Sequence, residues 1–130
     1  MRGNLAAEKQ RLTDLFRGTP VVFALAADGS LRSEVPLAYS FDPGRATVKP
    51  PLAAVLNRIA TAQAREPTKI WIAAPADDPA APVSSPLAVE RAKSVRAYLI
   101  SKGLDGARVM TPALKVTALV RVLITDAAAP

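Results

Sequence analysis

The chain has 130 residues, half of them apolar, with 17 Lys and Arg against 11 Asp and Glu for a net charge of +6. That length and apolar content suit one globular domain and exclude a disordered chain. With no cysteine and no histidine, the chain has no disulfide framework and no thiolate metal site, and it lacks the commonest general base and transition-metal ligand, imidazole. The basic residues are scattered from Arg2 to Arg121 with few aromatics between them. A nucleic-acid groove needs clustered Lys and Arg interleaved with stacking rings, so no nucleic-acid partner is expected. No stretch approaches the ~20 apolar residues of a membrane span, and the opening "GNLAAEKQRL" lacks the apolar core of a secretory signal. These features fit either a cytoplasmic protein or a soluble piece of a longer precursor.

Asn4 caps a predicted helix from Leu5 to Phe16, with Leu5, Leu12, Leu15 and Phe16 on one side and Gly18-Thr19-Pro20 as its stop. "VVFALA", Val21 to Ala26, is predicted as a buried strand, and Asp28-Gly29 as a hairpin turn into Ser30 to Leu37. Pro36 confines that second strand to an edge or marks its end. Ala38 to Phe41 continues as strand until the turn residues Asp42-Pro43-Gly44. Pro50-Pro51 opens a second helix, with Leu52, Val55, Leu56 and Ile59 at helical spacing and Glu66-Pro67 as its end. Lys69 to Ala74 is a short strand, and Pro75 to Ser85 a loop rich in proline and small residues. A helix from Leu87 to Lys102 follows, then Val109 and Leu114 to Thr125 as closing strands, and a frayed "DAAAP" tail. Strands alternating with helices predict an α/β (α+β) sandwich, with helices on one face of a small mixed sheet. The domain is predicted over 19–126, with an N-terminal helix or linker at 1–18 and a tail at 127–130.

The third helix carries the functional signal. Ser85 is its predicted N-cap, Pro86 fits its first turn, and Gly103 followed by Leu104 ends it. At roughly 100° per residue from Leu87, the residues Tyr98, Val95, Ala88, Leu99 and Ala92 fill an apolar arc from about 0° to about 140°. Lys93 and Arg96 fall outside it. Arg91 falls inside, near 40°, and a guanidinium within an apolar stripe needs an acceptor. A structural salt bridge to a neighbouring loop and a ligand contact both satisfy that need.

"LAVERAKSVRAYLISKGLDGARV", Leu87 to Val109, resembles the OmpA-like domain, the C-terminal module of outer-membrane protein A and of many envelope lipoproteins. The family pattern is matched by Leu87, Arg91, Ala92, Val95, Tyr98, Leu99, Gly103 and Arg108, with Ala88 where serine is usual. Upstream, Tyr39 to Ala60 is similar to the family's first strand, turn and first helix. Lys69 to Asp77 occupies the place of the strand that ends in Gly-His-Thr-Asp. The resemblance implies a βαβαββ sandwich, here with an extra N-terminal helix and hairpin. It also implies a non-catalytic periplasmic or cell-envelope module that needs no cofactor and holds peptidoglycan non-covalently through the diaminopimelate of the stem peptide. Alignment places Asp77 at the ligand-binding aspartate and Arg91 at the arginine. A carboxylate for the ligand's ammonium and a guanidinium fork for its carboxylate suit that zwitterion. Ser84 stands where the family has asparagine, and Asp78 flanks Asp77.

The chain departs from the family at Ala74-Pro75-Ala76, which replace Gly-His-Thr, and in "MTPALKVTALVRV", which reduces a glycine-rich segment and Asn-Arg-Arg to Arg121. Pro75 also removes a backbone N–H that could serve an anion. The alternative is an OmpA-like fold without the glycan site, serving as a protein–protein adaptor in an envelope complex. An open cleft shared by Asp77 and Arg91 favours the anchor, and an Arg91 sealed against an internal carboxylate favours the adaptor. Asp77-Asp78 lacks the ligand spacing of a calcium loop, no base is placed to activate a nucleophile, and Trp71 is available for stacking or packing.

Overall fold

A computed structural model describes residues 4–27, 29–64, 68–77, 85–111 and 119–126. The described elements are α1 (Asn4–Leu15), β1 (Val22–Leu25), β2 (Leu31–Pro36), the one-turn α2 (Leu37–Ser40), α3 (Pro50–Gln63), β3 (Thr68–Ala73), α4 (Pro86–Ser101), a 3-10 turn (Gly106–Arg108), β4 (Val109–Met110) and β5 (Leu119–Asp126). The strands form one mixed sheet in the order β1-β2-β5-β3-β4, parallel between β3 and β4 and antiparallel elsewhere. Apart from α1, β1 and the single turn of α2, the order is the βαβαββ expected from the sequence.

Alternation along the strands decides which sheet face is covered. Leu31 and Val35 of β2, Ile70 and Ile72 of β3, and Val120, Val122 and Ile124 of β5 are buried. Their neighbours Arg32, Lys69, Trp71, Arg121 and Leu123 keep at least partial exposure, as expected when helices cover one side only. Register keeps these sets together: Leu31 pairs with Ile124, which pairs with Ile70. Onto that face α3 turns Leu52, Val55, Leu56 and Ile59, and α4 turns Ala92, Val95 and Leu99. Leu5 and Leu12 of α1 join the same core.

Two strand assignments differ from expectation. Ala38 to Phe41 belongs to α2 and the residue after it, not to a strand. Pro36 ends β2 opposite Leu119, and the chain turns at once: the Ser40 hydroxyl and the Phe41 N–H donate to the Pro36 and Leu37 carbonyls at 2.9 and 3.0 Å. The turn buries Phe41 and sends the next residues across the end of the sheet toward α4. The run at Val21 to Ala26 is an edge strand rather than a buried one. Of β1 only Phe23 is buried, while Val22 and Leu25 are exposed, because β2 is its one described neighbour.

The hairpin is closed by Ala26 and Gly29 N–H bonds to Ser30 and Ala26 carbonyls, while Asp28 lies outside the described residues, as does the 112–118 part of the expected last strand. Helix α4 ends as its sequence predicts. Gly103 adopts φ +108°, and the Leu104 N–H reaches back to the Leu99 carbonyl at 3.3 Å. At the other end Ser85 occupies the N-cap but makes no side-chain cap hydrogen bond.

Candidate functional site at the end of strand β3

Two short segments meet the first turns of α4. One is the turn Asp42–Arg45, where Pro43 and Gly44 supply the chemistry of a type II turn. Gly44 takes φ +71°, a conformation open to glycine at little cost, and the Arg45 N–H closes the turn on the Asp42 carbonyl at 3.0 Å. The other is the extension of β3 through Ala74, Pro75 and Ala76, all buried, to Asp77.

Arg91 joins them. It projects from α4 into the core end of the sheet and is fully buried, with 0 % exposure. Its Nε donates to the Arg45 carbonyl at 2.8 Å, Nη1 to the Pro75 carbonyl at 3.1 Å, and Nη2 to the Asp42 carbonyl at 3.1 Å. Nη2 also donates to Asp77 Oδ1 at 2.6 Å, and the guanidinium carbon lies 5.2 Å from the Phe41 ring centroid. Three carbonyls, a carboxylate and an aromatic face thus compensate a charge that burial alone would make very costly. A guanidinium has five N–H donors, so a single Nη1 N–H has no partner among the described residues.

Asp77 is the open half of the pair, with its side chain 44 % exposed. Oδ1 accepts from Arg91, and Oδ2 accepts the Gly44 N–H at 2.7 Å. The hydrogen bond from Arg91 first, and that from Gly44 second, hold the carboxyl below the usual carboxylate range. It is therefore an anion at neutral pH, fixed in orientation from two sides.

The free edge of Asp77 borders a cleft of about 350 Å³, lined also by Leu37, Phe41, Asp42, Pro43 and Lys49. Lys49 Nζ donates to the Ala38 carbonyl at 2.8 Å and lies 3.3 Å from Asp42 Oδ1. Arg91 stands behind Phe41 and does not line the cleft. Asp77 and Arg91 are thus brought together, but only the carboxylate faces the open space. Ser84 and Asp78 lie outside the described residues. Phe41 and Lys49 were not singled out from the sequence, and Gly44 was read there only as a turn residue. Phe41 immediately precedes the "DPG" turn, and Lys49 immediately precedes the proline pair that starts α3, which is the only local signal those two carry.

Trp71 stands on the sheet face opposite the helices and donates to Thr125 Oγ1 at 3.2 Å. A second cleft of about 360 Å³ runs between Leu15 and Phe16 at one side and Asn57, Arg58 and Thr61 of α3 at the other. It contains none of the motif residues. Among the described residues no cluster of acidic side chains could hold a metal ion, and no helix is long and apolar enough to cross a membrane.

The family model described as OmpA family matches residues 40–118. Among solved structures, a MotB-like protein from Desulfovibrio vulgaris superimposes with a TM-score of 0.71 at 17 % identity, over 96 % of this chain and 94 % of that one. The cell wall anchor of the T6SS from Pseudomonas aeruginosa gives 0.68 at 18 % identity, over 97 % and 99 %. The periplasmic domain of Helicobacter pylori MotB gives 0.61 at 18 %, over 81 % and 84 %. No curated protein matches the chain significantly.

Proposed function

The chain belongs to the OmpA family, and on that premise we propose that it is a non-catalytic module of the cell envelope, working in the periplasm, that holds peptidoglycan non-covalently by the diaminopimelate end of the stem peptide. The observation that carries this reading is the half-exposed Asp77 carboxylate lining the cleft, held from behind by the buried Arg91. The two residues occupy the motif positions of strand and helix, and the fold brings them to 2.6 Å. A carboxylate pinned from behind and open in front is a preorganised acceptor for an ammonium group, because its orientation costs the ligand nothing further. Leu37 and Phe41 give the methylene stem of such a side chain an apolar wall. The fold likeness to a cell wall anchor and to periplasmic domains is consistent with this setting.

The burial of Arg91 favours a second reading, in which the cleft is unused and the domain is an adaptor between envelope proteins. An NMR titration with a soluble diaminopimelate-containing muropeptide separates the two. The anchor reading expects localised shifts at residues 41–49 and near Asp77 and Arg91, lost in Asp77→Asn. It also expects binding that survives moderate salt, since at 0.1 M exposed charges are screened beyond about 10 Å whereas a pocket contact is screened less. An absence of localised shifts at millimolar muropeptide would leave the adaptor reading standing.

A further inference from the structure

Behind the Asp77 cleft the arginine is out of a ligand's reach, because it is covered and four of its five N–H groups are already given to the protein. Arg91 is 0 % exposed, and its Nε, Nη1 and Nη2 all donate to backbone carbonyls or to Asp77. Removing the guanidinium from those carbonyls would leave buried acceptors unpaired, at a cost comparable to what a ligand contact returns. A carboxylate entering the cleft needs a different cation.

Lys49 is that cation. It lines the cleft with Asp42 and Asp77, and its side chain keeps 32 % exposure. An ammonium carries three donors. One is used on the Ala38 carbonyl, and another faces Asp42 at the looser distance of 3.3 Å, which leaves capacity for an incoming acceptor. The adjacent backbone cannot substitute for it, since Pro50 and Pro51 open α3 and carry no N–H.

Charge balance decides what fits. Among the described residues the cleft presents two carboxylates, Asp42 and Asp77, against the one ammonium of Lys49, and Arg91 behind Asp77 brings the sum of these four to zero. A plain amine would leave a positive charge uncompensated, and a plain carboxylate a negative one. A zwitterion adds no net charge and places each half opposite its complement.

Resting on the anchor reading above, we infer that Lys49 meets the terminal carboxylate of the bound end group while Asp77 takes its ammonium, so that the cleft selects a zwitterionic amino-acid terminus over a plain amine. Arg91 is then a positioning residue, which fixes Asp77 and the 42–45 turn and does not touch the ligand.

The test uses three soluble muropeptides, ending in diaminopimelate, in diaminopimelate with its free carboxylate amidated, and in lysine. Dissociation constants are measured by NMR titration against the unmutated chain, Lys49→Met and Lys49→Arg, whose amide spectra also report folding. The unmutated chain should prefer the free zwitterion over both comparators by about tenfold, the scale of one charge-assisted contact. Lys49→Met should reduce that preference to about one while still binding all three weakly through Asp77, and Lys49→Arg should keep most of it. Binding by the unmutated chain with a preference that Lys49→Met leaves intact overturns the role of Lys49 and spares the anchor. Failure of all three muropeptides to bind overturns both.

Discussion

Strand β3 is clamped by an arginine at each end, and the two clamps differ in their partners and in their burial. At its start, Arg108 donates to the carbonyls of Thr68 and Gln63 at 2.8 and 2.7 Å and to the Thr68 hydroxyl at 3.0 Å. Beyond its finish, Arg91 donates to three carbonyls in the same manner and adds the carboxylate of Asp77. A guanidinium tying loops together through backbone oxygens is therefore part of how this fold is held. It does not by itself mark a binding site. The half-exposed carboxylate is what sets the Arg91 end apart.

If the two clamps differ in burial as well as in partners, their removal should differ in size. Arg91→Ala strips a charged donor from three carbonyls in a region water does not reach, and should lower unfolding free energy by about 3 kcal/mol. Arg108 is half-buried, so water can replace part of what it donates, and Arg108→Ala should cost about 1–2 kcal/mol. Urea denaturation of the two variants checks the order. Equal losses would mean that the extra partners of Arg91 add nothing.

Gly44→Ala probes the turn at the Asp77 end. An added Cβ meets no atom within 4 Å, so the cost is that of holding alanine at φ +71°, about 1 kcal/mol. The smallest effect separates two acids by pH. Asp77 has its folded pKa held below the ordinary value of 3.8 by Arg91 and then Gly44. Its contribution is fully present above that value and is lost as pH falls through the folded pKa beneath it. Glu8, in α1, is shifted the other way, raised above 4.5 by burial against the opposing pull of Arg11. Folding gains from its protonation, a gain complete below 4.5 and lost as pH rises through the folded pKa. Stability measured against pH should thus lose its fall below pH 4 in Asp77→Asn, whereas Glu8→Gln should be more stable than the parent near neutrality.

How much of this was legible depended on whether a side chain or the backbone carried the interaction. Arg91 was visible because a charge inside an apolar arc has to be answered, and Asp77 because the motif places it. The remaining partners of Arg91 are the carbonyls of Asp42, Arg45 and Pro75, which leave no trace in residue identity. Pro75 shows the limit well: from sequence it counts as a lost N–H, and in the fold its carbonyl is one of the clamp's acceptors. Ala38 to Phe41 read as strand because alternation over four residues cannot distinguish a strand from a single helical turn. That misreading concealed Phe41 and Lys49, since their positions depend on the chain turning immediately after Pro36. The helices α3 and α4 were legible because their apolar spacing runs over several turns.

The position of β5 between β2 and β3 has a consequence for the order in which the molecule assembles. The β1–β2 hairpin, α3, β3 and α4 all precede it in the chain, yet among the described strands β2 and β3 are joined in the sheet only through it. Until residues 119–126 arrive, the sheet exists as two separate pieces, each with an open edge able to pair elsewhere. Closure then requires contacts between segments far apart in sequence, which is the slow kind of folding step. A nascent chain halted before Leu119 should therefore be sensitive to protease and prone to aggregate, and it should gain resistance in one step once that strand has been synthesised and inserted.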